Sequence, residues 1–254
     1  MSSIMAEKIY LYGKNPLHEA LLSTKRGAPM PIEKLYLTRQ ASEDPKIMSD
    51  VQTYKLKYDI VTYSEIESFV GQNTVHQGVC ALLSDKVLYT PFEEVISRLD
   101  LTKNPLLILL DELQDPHNVG AIIRSAVAFG ASAILIGEHD QTQITSTVIK
   151  TASGMNFAIP IVKIGNINTT LKKLKDEGFW TYGLTGEGDT ELHTVKFDSP
   201  TVLVIGSEGN GIRAKTLEAC DFKLSIKTSE LCESLNASNA TTVAMYEWRK
   251  QNIN

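Results

Sequence analysis

The chain has 254 residues, 43% of them apolar and 22% charged, with no long low-complexity tract, which is the make-up of a folded protein of one large domain or two small ones. A net charge of −5 excludes a protein that coats nucleic acid indiscriminately, although a local basic patch can still hold a phosphate backbone. No apolar run approaches the roughly 18 to 20 residues that cross a bilayer, so a soluble protein is expected.

The three cysteines, Cys80, Cys220 and Cys232, show no CxxC or Cys/His spacing, and free thiols are expected rather than a disulfide framework or a zinc site. A reducing compartment suits them. MSSIMAEKIYLYGKN has no secretory core and little arginine, so a cytoplasmic protein is expected, or a mitochondrial one if the chain is a trimmed organellar form.

Taken in order, IYLYG is followed by NPLHEALLS, whose Leu17, Ala20, Leu21 and Leu22 suit one helical face. Leu35 and Leu37 of IEKLYLT alternate as in a strand. A second helix is expected from Ser64, where Ser-Glu-Ile-Glu offers a cap, and GVCALL closes the segment as a strand. This places a small α/β unit at 1–88 and a linker with one helix-like stretch at 89–104.

From Leu106 onward strands and helices alternate. LLILLD, AILIG, FAIPIV, WTYGL and TVLVIG read as buried strands, with helices at AIIRSAVAFG, near 142–150, near 168–177 and from about Asn236 through SNATTVAMYEWRK. This pattern predicts an α/β domain over 105–254 built on a mostly parallel sheet covered on both faces.

Four loops follow apolar strands, and loops leaving the carboxyl ends of parallel strands converge on one edge. In DELQDPHNVGAIIRSAVAFG, Asn118 can cap the helix and Gly120 permits close approach, while Arg124 interrupts an apolar helix. Pattern alone leaves Arg124 either on a solvent face or at a site. In VLVIGSEGNGI, Gly206, Gly209 and Gly211 leave backbone amides open to a polar ligand beside Ser207 and Glu208, although a plain tight connection fits equally. The spacing matches neither the dinucleotide fingerprint nor the lysine-bearing phosphate loop. In SELCESLNASNATTVAMYEW, Ser234, Asn236, Ser238 and Asn239 offer more hydroxyls and amides than capping requires. KTASGMN, residues 150 to 156, could line the same cleft or be a simple turn. His18, His76, His117, His139 and His193 have no ligand-like spacing, and neither paired carboxylates nor a nucleophile elbow is present.

In this order, DELQDPHNVGAIIRSAVAFG, VLVIGSEGNGI and IKTSELCESLNASNATTVAMYEW closely resemble the three signature motifs of the SpoU family of RNA ribose 2′-O-methyltransferases, in the knotted SPOUT superfamily. YGKNPLHEALL and HQGVCALL resemble the ends of the ribosomal-protein-like RNA-binding domain that precedes the catalytic domain in family members of the 23S ribosomal RNA guanosine-2′-O-methyltransferase type. The resemblance implies S-adenosylmethionine as methyl donor, S-adenosylhomocysteine as product, no metal, a C-terminal trefoil knot, a homodimer, and structured RNA as substrate, with large-subunit ribosomal RNA ahead of transfer RNA. By position it implies Arg124 and Asn118 at the target ribose. It gives Gly206, Ser207, Glu208, Gly209 and Gly211 to the cofactor loop, and Ile226, Ser234, Leu235 and Asn236 to holding the cofactor or ordering the catalytic site. The family's Ile-Pro-Met is Ile226-Lys227-Thr228 here, and a usual glycine is Glu230. That departure motivates an alternative, an RNA-binding protein of ribosome assembly with a weakened cofactor site.

Overall fold

The computed structural model describes residues 8–232 and 234–252. Residues 1–7 of the N-terminal stretch read for targeting signals, and Glu233 within the third motif, lie outside the described residues. The chain forms two compact units, one containing the residues up to Leu88 together with Ile144–Ala158, the other Tyr89–Gln143 together with the residues from Ile159 onward.

The first unit runs β1 (Tyr10–Tyr12), α1 (Lys14–Lys25), β2 (Ile32–Leu37), α2 (Pro45–Tyr54), β3 (Tyr58–Ile60), α3 (Tyr63–Val70) and β4 (Val79–Leu83). Its sheet has the order β1-β4-β2-β3, antiparallel except for the β2–β3 pair. Leu35 and Leu37 are fully buried while Tyr36 between them is not, as their alternation requires. On α1, Leu17, Ala20 and Leu21 face the core and Leu22 is only half-buried. The cap of α3 is Thr62 rather than Ser64: Thr62 Oγ1 accepts from Glu65 N at 3.2 Å and Glu65 returns the bond to Thr62 N at 2.7 Å. The glutamate three residues past the true cap completes the box, so the helix starts at Tyr63. A short helix from later in the chain, α6 (Ser146–Thr151), belongs to this unit, where Ser146 Oγ accepts from Tyr10 N and Lys150 Nζ donates to Val75 O.

The second unit runs α4 (Phe92–Arg98), β5 (Leu106–Asp111), α5 (Pro116–Phe129), β6 (Ala133–Gly137), β7 (Ile161–Ile164), α7 (Ile167–Asp176), β8 (Trp180–Leu184), β9 (Thr190–Glu191), β10 (Thr201–Gly206), α8 (Ala214–Ala219), β11 (Phe222–Ser225) and α9 (Ala237–Gln251). All seven strands are parallel, in the order β7-β6-β5-β10-β8-β11-β9. The residues expected as a linker are part of this unit. Val95 of α4 is buried in the core with Leu107, Leu109, Leu171 and Leu174, so one face of the sheet is covered by α4 and α7. Strand alternation turns Leu106, Ile108 and Leu110 to the opposite face, on which α9 packs against α5 and β10. Burial on both faces explains why LLILL reads as an unbroken apolar run.

β11 lies three strands from β5, yet the chain returns from it to lay α9 along α5. That return is the segment in which the resemblance implies a trefoil knot. Thr242 Oγ1 donates to Ser125 Oγ at 3.0 Å, and the rings of Phe129 and Tyr246 meet edge to face, fixing the helix pair. No helix among the described residues is long and apolar enough to cross a membrane.

Candidate active site

Four loops leave the carboxyl ends of β5, β8, β10 and β11, and three of them are tied together by one hydrogen-bonded triangle. Asn118 Nδ2 donates to Glu208 Oε1 at 2.6 Å, Asn236 Nδ2 donates to Asn118 Oδ1 at 3.0 Å, and Asn236 Nδ2 also donates to Glu208 Oε1. Each corner comes from a different signature segment.

Asn118 was expected to cap α5, but Asp115 holds that position. The Asp115 carboxylate accepts from His117 N at 2.9 Å, with Pro116 as the first helical residue. An Asp-Pro pair caps a helix without help, which leaves the Asn118 side chain, buried in the first turn, free for the triangle. A further bond from Asn118 Nδ2 to Asp115 Oδ2 at 3.0 Å fixes its amide orientation. Asn236 is the true cap of α9. Its Oδ1 accepts from the backbone of Ser238 and Asn239 and from Ser238 Oγ, so the surplus polar groups of the sequence resolve into one cap and one donor to Glu208.

The 206–212 loop is held by its own backbone. Ser207 N donates to Gly211 O at 3.0 Å and Gly211 N returns to Ser207 O at 2.9 Å. Gly206 packs so tightly that a Cβ there would stand 2.1 Å from the Gly211 carbonyl carbon. Gly206→Ala is therefore expected to cost about 1–3 kcal/mol of stability. In a thermal melt this appears as roughly 2–4 °C lost per kcal/mol, and an unchanged midpoint would show that the loop has room.

Beside the triangle lies a cleft lined by Leu184, Thr185, Gly186, Ile205, Gly206, Ser207, Glu208, Gly211, Ile226, Thr228, Ser234, Leu235, Ala237 and Ala240. Of the residues expected from sequence, Gly206, Ser207, Glu208, Gly211, Ile226, Ser234 and Leu235 line it, and Asn118 and Asn236 brace it through Glu208. Gly209 sits in the same loop without lining the cleft, with nothing within 4 Å of where a Cβ would stand. KTASGMN does not contribute to the lining. It packs within the first unit, where a Cβ on Gly154 would meet Pro16 Cα at 2.7 Å.

Arg124 stands apart from these residues. It is exposed on α5, does not line the cleft, and has no ion-pair partner among the described residues. Six residues of α-helix carry it about 9 Å along the axis from Asn118 and turn it to another face.

Sequence reasoning missed Leu184 at the end of β8 and Thr185 and Gly186 after it, although TGEGD follows an apolar strand just as the recognised loops do. In the departure from the motif, Ile226 and Thr228 both keep places in the lining. Thr228 Oγ1 donates to Cys232 O at 2.9 Å and closes the turn, while Lys227 approaches Glu191 at 3.9 Å. Burial pushes the Cys80 and Cys220 thiols up to about 12, which removes both as nucleophiles near neutral pH. No group of three or more His, Cys, Asp or Glu among the described residues is arranged to hold a metal ion.

Comparison with known proteins accounts for both units. A family model described as RNA 2′-O ribose methyltransferase substrate binding matches residues 10–86, and the SpoU rRNA Methylase family model matches residues 105–246. The 23S rRNA (guanosine-2′-O-)-methyltransferase RlmB of Pseudomonas aeruginosa is 34% identical over 246 residues, covering 95% of this chain and 96% of that protein. An uncharacterized tRNA/rRNA methyltransferase of Synechocystis sp. is 33% identical over 245 residues, and the match spans 95% of this chain but 62% of that longer protein. Among solved structures, the SpoU methyltransferase AviRb from Streptomyces viridochromogenes, in complex with the cofactor AdoMet, shares the fold with a TM-score of 0.83 at 24% identity, over 98% of this chain and 92% of that one. With the three motifs meeting at one cleft and the family model matching residues 105–246, more than half of the chain, the chain belongs to the SpoU rRNA methylase family.

Proposed function

We propose that this chain transfers a methyl group from S-adenosylmethionine to the 2′-hydroxyl of a guanosine ribose in large-subunit ribosomal RNA, acting as a homodimer in a reducing compartment, the cytoplasm. The observation that carries this reading is the Asn118–Glu208–Asn236 triangle, which ties all three signature segments together at the Glu208 edge of the cleft.

The lining fits the donor. Leu184, Ile205, Ile226 and Leu235 offer apolar surface to an adenine ring, and at Gly186 and Gly211 the space a Cβ would fill is open, so a ligand can reach the backbone there. Glu208 is the one ionisable side chain among the described lining residues, and its charge suits a cationic sulfonium. The bound donor supplies a methyl group already activated for transfer.

What remains for the protein is to hold the ribose oxygen in line and raise its electron density. Glu208, held by two amides, keeps the glycine loop in one position, and Ser234 lines the cleft beside it. A guanidinium keeps its charge, so Arg124 acts as a fixed, forked cation that clamps the phosphate next to the target ribose and stabilises developing alkoxide charge. Its exposure, and the absence of an ion-pair partner among the described residues, suit a residue that serves the cleft of the second protomer. Val243 and Tyr246, exposed on α9 beside α5, give that association an apolar surface.

The test is to map 2′-O-methylated nucleotides in RNA from cells lacking the protein. Loss of one 2′-O-methylguanosine from large-subunit ribosomal RNA is expected. Loss confined to transfer RNA would move the substrate and keep the chemistry, while an unchanged map, with no heat on calorimetric titration of S-adenosylmethionine, would favour a family member that has kept only RNA binding.

A further inference from the structure

Arg213 follows the glycine loop and precedes α8, and no motif or expected site residue includes it. Its backbone N donates to Asp111 Oδ2 at 3.0 Å, while Nε and Nη2 both reach Asp111 Oδ1 at 2.8 Å. The third nitrogen, Nη1, reaches Glu112 Oε1 at 3.0 Å. Glu112 adopts φ 59, the left-handed conformation that non-glycine residues rarely use.

Asp111 is the last residue of β5, is fully buried, and pairs in register with Gly206, the first residue of the loop. One buried carboxylate beside the loop's entry therefore grips its exit. A buried charge needs a partner of good geometry, and this one receives a forked cation and a backbone amide together. All three guanidinium nitrogens are engaged with these two carboxylates. The tip of the same loop is held separately, by Asn118 and Asn236 at Glu208.

We infer that Arg213, clamped on Asp111 and Glu112, is a positioning residue that sets the Ser207–Gly211 backbone in the geometry that receives the methyl donor; this rests on the reading of the cleft as an S-adenosylmethionine site. Lysine keeps the charge but cannot reproduce the fork.

The experiment compares wild type, Arg213→Lys and Arg213→Ala by calorimetric titration of S-adenosylmethionine, steady-state kinetics, and hydrogen exchange at the Ser207 and Gly211 amides. R213K is expected to weaken donor binding about tenfold and R213A more, with kcat at saturating donor and KM for RNA within about twofold of wild type. Exchange at the two loop amides is expected to accelerate while β10 stays protected, a local change that general destabilisation would not produce. Should R213A fail to fold, R213K carries the test. Wild-type protein that binds no donor would overturn the reading of the cleft, and accelerated exchange in R213K would still assign the loop-positioning role to Arg213. A folded R213K with wild-type donor affinity and wild-type exchange overturns the inference.

Discussion

Glu208→Ala weakens S-adenosylmethionine binding by about 10- to 100-fold, because hydrogen bonds to a charged group are worth about 1.5–3 kcal/mol and two amides converge on this carboxylate. Glu208 is exposed, so water reaches the abandoned amides and the effect belongs in the lower part of that range. The melting temperature should change little for the same reason. Glu208→Gln keeps an acceptor for Asn118 and Asn236 and loses only the charge assistance, so its affinity falls between wild type and alanine. Calorimetric titration of the three proteins decides the matter. Equal donor affinity in wild type and E208A would mean that the triangle, although formed, does not shape the site.

Arg124→Ala is expected to have the opposite profile. Removing one preorganised donor to developing charge costs about 10²–10³ in rate, whereas donor affinity and melting temperature should stay at wild-type values, since Arg124 is exposed and is not among the described residues that line the cleft. Single-turnover transfer at saturating RNA separates chemistry from binding. Arg124→Lys is the sharper variant: if it transfers at a near-normal rate, the forked geometry is unnecessary and the residue is only a point charge. Mixing R124A with E208A protomers adds a check on the dimer. If Arg124 serves the neighbouring cleft, a mixed dimer holds one cleft with both residues intact, and some activity returns.

The two profiles show which parts of the site the sequence could reveal. Strands such as LLILLD and TVLVIG were legible because burial on both faces leaves an unbroken apolar run, and the end of α5 was legible because Gly130 adopts φ 79. Thr190–Glu191 and Phe222–Ser225 were not, since strands of two and four residues with polar members carry no usable periodicity. The assignment of Ile144–Ala158 to the first unit is likewise invisible locally. It depends on long-range partners such as Tyr10 for Ser146 and Val75 for Lys150.

At the site the same division holds. Asn118, Glu208 and Asn236 stood out by type and position, but nothing local says that they touch across separations of 90 and 118 residues. By residue type Asp115 and Asn118 are both competent caps. The structure decides between them through Pro116, which is preorganised for the first helical position and so makes Asp115 the cap. Arg213 went unnoticed because an arginine after a glycine loop resembles any surface arginine until the buried Asp111 is found beneath it.

The most direct test of methyl transfer to a ribose oxygen is to incubate the purified protein with S-adenosylmethionine labelled in its methyl group and unmodified 23S ribosomal RNA, then hydrolyse the RNA in alkali. A methylated 2′-oxygen cannot attack its neighbouring phosphate, so the label is expected in alkali-resistant dinucleotides carrying guanosine. Label recovered only in mononucleotides would place the methyl group on a base and contradict the reading, as would RNA that stays unlabelled while the protein binds the donor.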